Sequence, residues 1–390
     1  MTEAYIVAAV RTAGGRRNGR LARWHPVDLG AAVVDELVRR AGADPVLVED
    51  VIFGCVSQAG EQSTNVGRNV VLASGLPRTV PGTSVDRQCG SSQQAIHFAA
   101  QAVMSGAMDV VIAGGVESMS RAPMGMPATL PETNGLGTYM SPGVLRRYPG
   151  TTFSQFKGAE LIAQRYGFER AQLDAFALES HHKATHAIEA GRFEREILPL
   201  EGQSRDGEPA PHREDEGVRR DVTLEGIASV KLLQEGGVIT AANASQMCDG
   251  AAGVMVVNAA GLRALGVEPL ARIHAMGVIG GDPVFMLDEP APATDLVLRK
   301  AGMVIDDIDL FEVNEAFAPV PLAWLQRTGV DPKRLNVHGG AIALGHPLGA
   351  SGAKLMATLV YALKTHDRRY GLQTMCEGGG MANATIIERL

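Results

Sequence analysis

An alternation of strands and helices that occurs twice is the feature that most limits how this chain can fold. From residue 4 to about 118, short β-branched runs alternate with stretches of helical periodicity, and the same alternation returns after about Ala271. A weak local echo supports a duplication, because the run from Val110 (VVIAGGVESM) resembles the run from Gln373 (QTMCEGGGM). Such alternation is typical of α/β architecture, in which helices cover the faces of a sheet. The sequence therefore predicts one α/β unit present twice.

The predicted elements follow from periodicity and from the positions of glycine and proline. In the first unit we expect strands at 4–10, 50–56, 83–88 and 109–113, and helices at 26–41, 65–74 and 91–104. In the second unit we expect strands at 273–278, 309–313, 334–337 and 371–376, and helices at 293–301, 315–327 and 348–364.

The region between the two units has a different character. It contains Pro- and Gly-rich stretches, a helical run at 157–190 and a polar segment at 201–216 that we expect to be mobile and exposed. We interpret it as an inserted loop domain that covers a shared site. The predicted division is residues 1–119 for the N-terminal half, 120–250 for the inserted domain, 251–270 for a return to the first half and 271–390 for the C-terminal half.

Charge and cysteine usage exclude several classes of function. A net charge of -7 with scattered basic residues gives no footprint for nucleic acid, and no apolar run reaches the length of a membrane helix. The four cysteines follow no zinc-type spacing, so we expect thiols and no metal site. We therefore expect a soluble, cytoplasmic protein.

Cys89 is a candidate nucleophile because of its position. It lies between a predicted strand and a predicted helix, where unpaired amides and the helix dipole would stabilise a thiolate. Free cysteine is also among the most buried residue types, so a structural thiol is an equal alternative on position alone.

Three further candidates lie in the second unit. His346 is in a small-residue turn, where it could act on a ligand or simply hydrogen-bond the turn. Cys376 precedes three glycines whose amides could approach an oxyanion. Asn314 follows a predicted strand and could orient a water or cap a helix.

Taken together, the motifs resemble those of thiolases. They are VDRQCGSSQQA from Val85, Asn-Glu-Ala-Phe from Asn314, Gly-His-Pro-Leu-Gly-Ala from Gly345 and Cys-x-Gly-Gly-Gly-Met from Cys376. Weaker matches extend the resemblance over nearly the whole chain, and only the insertion is matched loosely.

The resemblance implies a duplicated five-layered α-β-α-β-α fold with an inserted loop domain, assembled as a homodimer or homotetramer. It implies an acyl-CoA C-acyltransferase that cleaves 3-oxoacyl-CoA with CoA, or runs the reverse Claisen condensation, by a ping-pong mechanism. Coenzyme A and acyl-CoA would be substrates, and no cofactor would be tightly bound. Fatty-acid or sterol-derived chains both remain open as substrates.

The same resemblance assigns roles to individual residues. Cys89 would be the acylated nucleophile, His346 its activating partner, and Cys376 the acid/base beside the thioester carbonyl. Asn314 would hold a water that forms one oxyanion hole with His346, and the amides of Cys89 and Gly378 would form the other. The residues implied to bind coenzyme A are Ser245 at the pantetheine arm, Arg219 near the nucleotide, Ala316 and Phe317.

Two departures from the family pattern keep alternatives open. His338 stands where the family often has asparagine, and it could replace an amide hydrogen bond or add a titrating group. A decarboxylating 3-oxoacyl synthase is the alternative enzyme, although Cys376 argues against it. A non-catalytic acyl-CoA-binding or scaffold protein is the alternative outside enzymes. The stretch Ser154-Gln155-Phe156 replaces a His-Met-Gly of acetoacetyl-specific members, which speaks against that specificity.

Overall fold

The computed structural model describes residues 3–203 and 207–390. The strands are β1 Ala4–Thr12, β2 Gly15–Arg16, β3 Asp50–Gly54, β4 Gly82–Val85, β5 Val110–Ser118, β6 Ile197–Leu198, β7 Leu200–Gln203, β8 Pro209–His212, β9 Cys248–Val257, β10 Ala271–Gly280, β11 Leu310–Val313, β12 Tyr370–Glu377 and β13 Met381–Arg389. The helices are α1 Pro26–Ala41, α2 Val66–Ala73, α3 Ser91–Ser105, α4 Met126–Thr133, α5 Pro142–Arg147, α6 Gln155–Tyr166, α7 Arg170–Glu189, α8 Leu224–Ala228, α9 Ala259–Leu265, α10 Pro290–Ala301, α11 Pro319–Thr328, α12 Ala341–Leu344 and α13 Ser351–Thr365.

The order of the strands displays the duplication. The main path runs β11-β12-β13-β10-β1-β9-β5-β3-β4, and β1 joins the two halves by pairing with β10. In the first half β1, β9 and β5 pair antiparallel, and β5, β3 and β4 pair parallel. In the second half β10, β13 and β12 pair antiparallel, and β12 pairs parallel with β11. The predicted α/β unit present twice is confirmed, and β5 and β12, which carry the sequence echo, occupy equivalent places.

Three apolar cores hold the five layers of the fold together. One core packs α1 and α2 against the first half of the sheet, and another packs α10 and α11 against the second half. The middle core lies between the halves and is built from α3, α13 and residues of both sets of strands. This is the α-β-α-β-α order expected for the fold, with α3 and α13 as the shared central layer.

The expected strand at 334–337 is wrong. Leu335 makes only an isolated parallel bridge to Phe311, at the place that β4 holds in the first half. The side chain of Asn336 takes over the strand's role, because its Oδ1 accepts from the Val313 N–H and its Nδ2 donates to the Val313 carbonyl. A side-chain amide can therefore satisfy the edge of β11 without a ladder.

Two helical predictions need correction at their boundaries. The helix expected at 315–327 begins at Pro319, because Ala316 and Ala318 use their backbone groups to bind Ser245 and Asn243. The helical run expected at 157–190 is two helices, α6 and α7, separated at Gly167 in the left-handed conformation.

The polar segment at 201–216 is not simply mobile and exposed. Residues 204–206 lie outside the described residues, but β7 pairs with β8, and His212 and Asp215 are buried. The Asp215 carboxylate binds the Arg11 guanidinium at 2.9 Å and Lys354 Nζ at 3.1 Å. The segment thus contributes a buried charge that ties β1 to α13.

No helix within residues 3–203 and 207–390 is both long enough and apolar enough to cross a membrane.

Candidate active site

Cys89 lies on a tight turn between β4 and α3. Gln88 adopts a positive φ of 49°, and the Ser91 hydroxyl secures the turn by donating to the Gln88 carbonyl and accepting from the Arg87 N–H. The Cys89 sulfur is buried and is reached by two backbone N–H groups, its own and that of Gly378. The turn therefore holds one thiol against two convergent donors.

The helix N-terminus does not make Cys89 a resting thiolate, contrary to the sequence-based expectation. Burial, followed by the negative charge of Glu377, raises the pKa of Cys89 to about 12, and the two N–H donors only partly oppose this. Desolvation disfavours the charged form of a buried thiol more than one helix end favours it. Cys89 must consequently lose its proton to a base as it reacts.

His346 has one ring nitrogen that can accept a proton. Ser351 Oγ donates to the Pro347 carbonyl at 2.9 Å, so its hydroxyl accepts from His346 Nδ1 at 2.5 Å. This arrangement leaves Nε2 as the unprotonated nitrogen, and Asn314 Nδ2 donates towards it at 3.4 Å. Burial, with the charge of Lys354, lowers the pKa of His346 to about 3, so the ring is neutral near pH 7.

Cys376 lies near the end of β12, close enough to Cys89 for a charge on one thiol to affect the pKa of the other. Burial raises the pKa of Cys376 well above its usual value, and the next contribution is the charge that Cys89 would carry. The glycine turn after it places the Gly378 N–H at the Cys89 sulfur, while Gly379 and Gly380 have positive φ angles of 87° and 75°. Two thiols from different halves of the chain therefore share one donor-lined site.

Asn314 immediately follows β11, and its backbone N–H donates to the Thr374 carbonyl of β12. The parallel pairing of β11 and β12 thus brings Asn314 to the edge of the sheet that carries Cys376. The contacts join Cys89, Gly378 and Cys376 in one group and Asn314 and His346 in a second, and the pairing of β11 with β12 brings Asn314 to the strand that carries Cys376.

The residues expected to bind coenzyme A are only partly grouped. The Ser245 N–H donates to the Ala316 carbonyl at 2.9 Å, and Phe317 forms a bridge with Ala244 beside it. Ala316 and Phe317 share an apolar cluster with Cys376, so this group adjoins the second thiol. Arg219 is exposed, and its backbone N–H binds His181 Nδ1 at 3.2 Å.

Sequence reasoning missed four supporting residues. Ser351 fixes the tautomer of His346, although the motif containing it was recognised. Glu117 accepts from the N–H groups of Val56, Ser57 and Gly349. Glu315 accepts from Ser180, Asn336 and the Ile342 N–H. Glu377 lies between the second thiol and the glycine turn and is fully buried. Each of the three carboxylates stands inside or beside a motif, which was the available signal.

His338 is explained by contacts that neither sequence-based alternative named. Its Nε2 lies 3.2 Å from His366 Nε2, and its ring meets Phe193 edge-on. Burial lowers the pKa of His338 to about 3, so it remains neutral.

The described residues contain no group of three or more His, Cys, Asp or Glu side chains arranged to hold a metal ion.

The fold and this two-thiol site define an acyl-transferring enzyme, and comparison with known proteins identifies its family. Models of the thiolase N-terminal domain and the thiolase C-terminal domain match residues 4–260 and 267–389. The chain belongs to the thiolase family. It is an acyl-CoA C-acyltransferase that cleaves 3-oxoacyl-CoA with CoA or performs the reverse condensation.

Relatives over the full length support this membership. Steroid 3-ketoacyl-CoA thiolase FadA6 of Mycobacterium tuberculosis is 52% identical and covers 100% of this chain and 95% of the relative. Acetyl-CoA acetyltransferase of Cupriavidus necator is 40% identical and covers 100% of both chains. The crystal structure of the Bacillus anthracis acetyl-CoA acetyltransferase superposes with a TM-score of 0.91 at 35% identity, covering 100% of this chain and 99% of that one. The expected thiolase fold and acyltransferase activity are confirmed.

Proposed function

We propose that the reaction proceeds through an acyl group on Cys89, with Cys376 as the acid/base at the carbon nucleophile. The observation that carries this assignment is the convergence of the two thiols, with the Gly378 N–H at the Cys89 sulfur. A cysteine with a purely structural role would need neither a second thiol nor a free backbone N–H group beside it.

In the cleavage direction, the Cys89 sulfur attacks the 3-oxo carbonyl while His346 Nε2 accepts its proton. The bond between C2 and C3 then breaks, and Cys376 protonates C2 to give acetyl-CoA. The thiol of a free coenzyme A next attacks the acyl-Cys89 thioester and passes its proton to the Cys376 thiolate, and the shortened acyl-CoA leaves as Cys89 recovers its proton from His346. The first step turns the C3 ketone into a thioester on Cys89 and the second exchanges that thioester for one to coenzyme A, so the acyl group stays activated.

Two oxyanion sites would stabilise the charge that develops in these steps. The N–H groups of Cys89 and Gly378 face the tetrahedral intermediate on Cys89. Asn314, through a water, and His346 face the enolate oxygen of the departing acetyl-CoA. Preorganised donors of this kind are typically worth about 3 to 4 kcal/mol each in the transition state.

For coenzyme A we propose that Ser245, Ala316 and Phe317 lie along the pantetheine arm. Arg219, which is exposed on the inserted domain, would then meet the nucleotide phosphates. The division into residues 1–119, 120–250, 251–270 and 271–390, the homodimer or homotetramer and the cytoplasmic location stay predictions.

We further propose that the acyl group is bulky and apolar, of the steroid-derived kind. The identity of 52% to a protein named as a steroid thiolase exceeds the 40% to an acetyl-CoA acetyltransferase. A cavity of about 350 Å³ is lined by Phe156, Leu233 and Ile239 together with two polar residues. Phe156 stacks edge-on against Phe317 at 5.6 Å, so the cavity adjoins the cluster that contains Cys376. A long or polycyclic acyl group could occupy this space.

The test is a thiolysis series with 3-oxoacyl-CoA substrates of increasing chain length and one steroid-derived 3-oxoacyl-CoA. We expect kcat/KM to be highest for the steroid-derived substrate and the Cys89→Ala variant to lose cleavage of all of them. Mass spectrometry of quenched enzyme should find the acyl group on Cys89. A maximum at acetoacetyl-CoA would overturn the substrate class, and an acyl group on another residue would overturn the mechanism.

A further inference from the structure

Glu377 is a buried carboxyl that the reaction scheme above does not use. It has no exposure to solvent, although it immediately follows Cys376 and precedes Gly378. Neither of its oxygens has a hydrogen-bond partner within residues 3–203 and 207–390. A buried carboxylate without donors is costly, because it loses hydration and gains nothing in return.

Within residues 3–203 and 207–390 no donor bonds either Glu377 oxygen, but an unpartnered acceptor lies nearby. Asn383 Oδ1 is likewise buried and unpartnered within the described ranges, while Asn383 Nδ2 donates to the Gly90 carbonyl at 3.1 Å. Because Glu377 pairs with Met381 and Met375 pairs with Asn383, the two side chains are diagonal neighbours on one face of the sheet. Both also border Gly90, where any Cβ would collide with Glu377 and approach Asn383 Nδ2 to 2.6 Å.

A proton on Glu377 supplies the hydrogen-bond donor that this arrangement lacks. The protonated carboxyl supplies one O–H donor, and Asn383 Oδ1 is an acceptor within its reach. When Glu377 is ionised, its two oxygens and Asn383 Oδ1 all remain without a hydrogen-bond donor among the described residues.

The charges around Glu377 do not offset the free-energy cost of ionising this buried carboxyl. On the loop before Cys89, Arg87 favours the charged form and Asp86 opposes it. Arg87 makes no ion pair with Glu377 in the described part of the chain, and its Nη1 lies 3.7 Å from Met381 Sδ. On β13 the cross-strand partner of Glu377 is the uncharged Met381, with Asn383 on the diagonal, while Cys376, its neighbour on β12, points to the opposite face of the sheet. Burial is the main cause that raises the pKa of Glu377 to about 8.

We propose that Glu377 is a positioning residue that works as a neutral acid held by Asn383, and that its ionisation at alkaline pH suppresses formation of the Cys89 and Cys376 thiolates. The proposal rests on the function assigned above to the two thiols. The Glu377 proton goes to solvent hydroxide, and the carboxylate that remains disfavours every negative charge formed beside it. Glu377 touches no reacting atom and acts only through the thiols.

The experiment compares kcat/KM for thiolysis between pH 6.5 and 10 in wild type, Glu377→Gln and the control Asp50→Asn. Glutamine keeps the shape and can donate to Asn383, but it cannot ionise. Ionisation of the coenzyme A thiol affects all three enzymes equally, so it cancels in the ratio of variant to wild type. Asp50 is a half-buried carboxyl on β3, its pKa is also raised by burial, and it is remote from the thiols.

We expect the ratio for Glu377→Gln to rise about tenfold or more between pH 7 and 9.5, the size expected for one unit charge acting across a buried site. The ratio for Asp50→Asn should stay flat. A flat ratio for Glu377→Gln as well would overturn the proposal.

A second measurement covers the case in which Glu377→Gln does not fold. In Asn383→Leu the neutral acid loses its acceptor, so the alkaline loss of activity should move to lower pH. Iodoacetamide alkylation of Cys89, followed by peptide mass spectrometry, should show the same displacement. An unmoved profile in both measurements contradicts the role of Glu377. Failure to find the acyl group on Cys89 of wild type contradicts the proposed mechanism instead.

Discussion

The two halves of the molecule share a topology but divide the chemistry unequally. Each half has an antiparallel trio of strands that continues into parallel strands, and each begins its central helix with a serine, Ser91 in α3 and Ser351 in α13. Of the residues proposed to act in the reaction, the first half supplies one, Cys89. The second supplies Asn314, His346 and Cys376, with Gly378 as an amide donor.

Buried carboxylates explain how the first half still controls the site. Glu117 belongs to the first half, yet it accepts from the N–H of Gly349, three residues after His346. In the second half Glu315 binds the loop that precedes α12. The two halves thus share one topology, but the first mainly supports the site and the second carries most of the groups proposed to react.

The largest effect should come from Asn314, compared with the residue at the equivalent place in the first half, Cys55. Asn314→Ala removes one donor of an oxyanion site, so kcat should fall about a hundredfold or more. Cys55→Ala changes a buried thiol after β3 and should leave kcat within about threefold. Steady-state thiolysis with circular dichroism as a folding control checks both. Equal losses in the two variants would mean that the halves are not specialised as described.

The two serines sharpen the comparison at an intermediate size of effect. Ser351→Ala removes the acceptor of His346 Nδ1, which should cost about tenfold in kcat/KM, the value of one hydrogen bond. It should also change the pH dependence of Cys89 acylation, because the tautomer of the base is no longer fixed. Ser91→Ala loosens the turn at Cys89 without touching the imidazole. Its rate should fall with an unaltered pH profile, and a shift in that variant alone would reverse our assignment of the two roles.

The smallest effect on catalysis should come from Asp215, which links the halves. Burial alone would raise its pKa, but the charges of Arg11 and Lys354 outweigh burial and hold the pKa well below its usual range. Asp215→Asn removes the carboxylate that Arg11 and Lys354 share, leaving Arg11 with Glu196 alone, and should lower the free energy of unfolding by about 3 kcal/mol at pH 7.

The sign of the pH dependence follows from the lowered pKa of Asp215. Its stabilising contribution is present above the pKa of an unfolded aspartate, about 3.9, and is lost as pH falls below that value. The difference between wild type and Asp215→Asn in urea unfolding should therefore shrink towards low pH. A difference that grows on acidification would show that the ion pairs do not stabilise the fold.

Prediction from sequence succeeded where local signals coincide with the tertiary contacts. The helix at 26–41 was predicted to its final residue because Pro26 opens it and Gly42, at φ 56°, closes it. The strand at 334–337 failed because the backbone of this segment bonds β11 only at Phe311, and the side chain of Asn336 satisfies Val313. No periodicity can report such a substitution.

For the site, motifs located the candidate residues but not their protonation states, and their roles in the reaction stay predictions. The position of Cys89 at a helix start predicted a thiolate, whereas burial keeps it a thiol. That outcome depends on which side chains from β12 and β13 surround the helix start, and these contacts join residues almost 300 positions apart, such as Asn383 and Gly90. Sequence reasoning had no means of placing them there.

The middle core has a consequence for the chain as a whole. Since α3 and α13 are buried against each other and against both sets of strands, neither half can cover its own central helix. Separated between β9 and β10, the two pieces would each present an apolar face that only the other piece, or a copy of the same piece, could cover. The single chain therefore resembles a dimer of two similar units joined into one polypeptide, and Cys89 and Cys376 meet across the contact between those units.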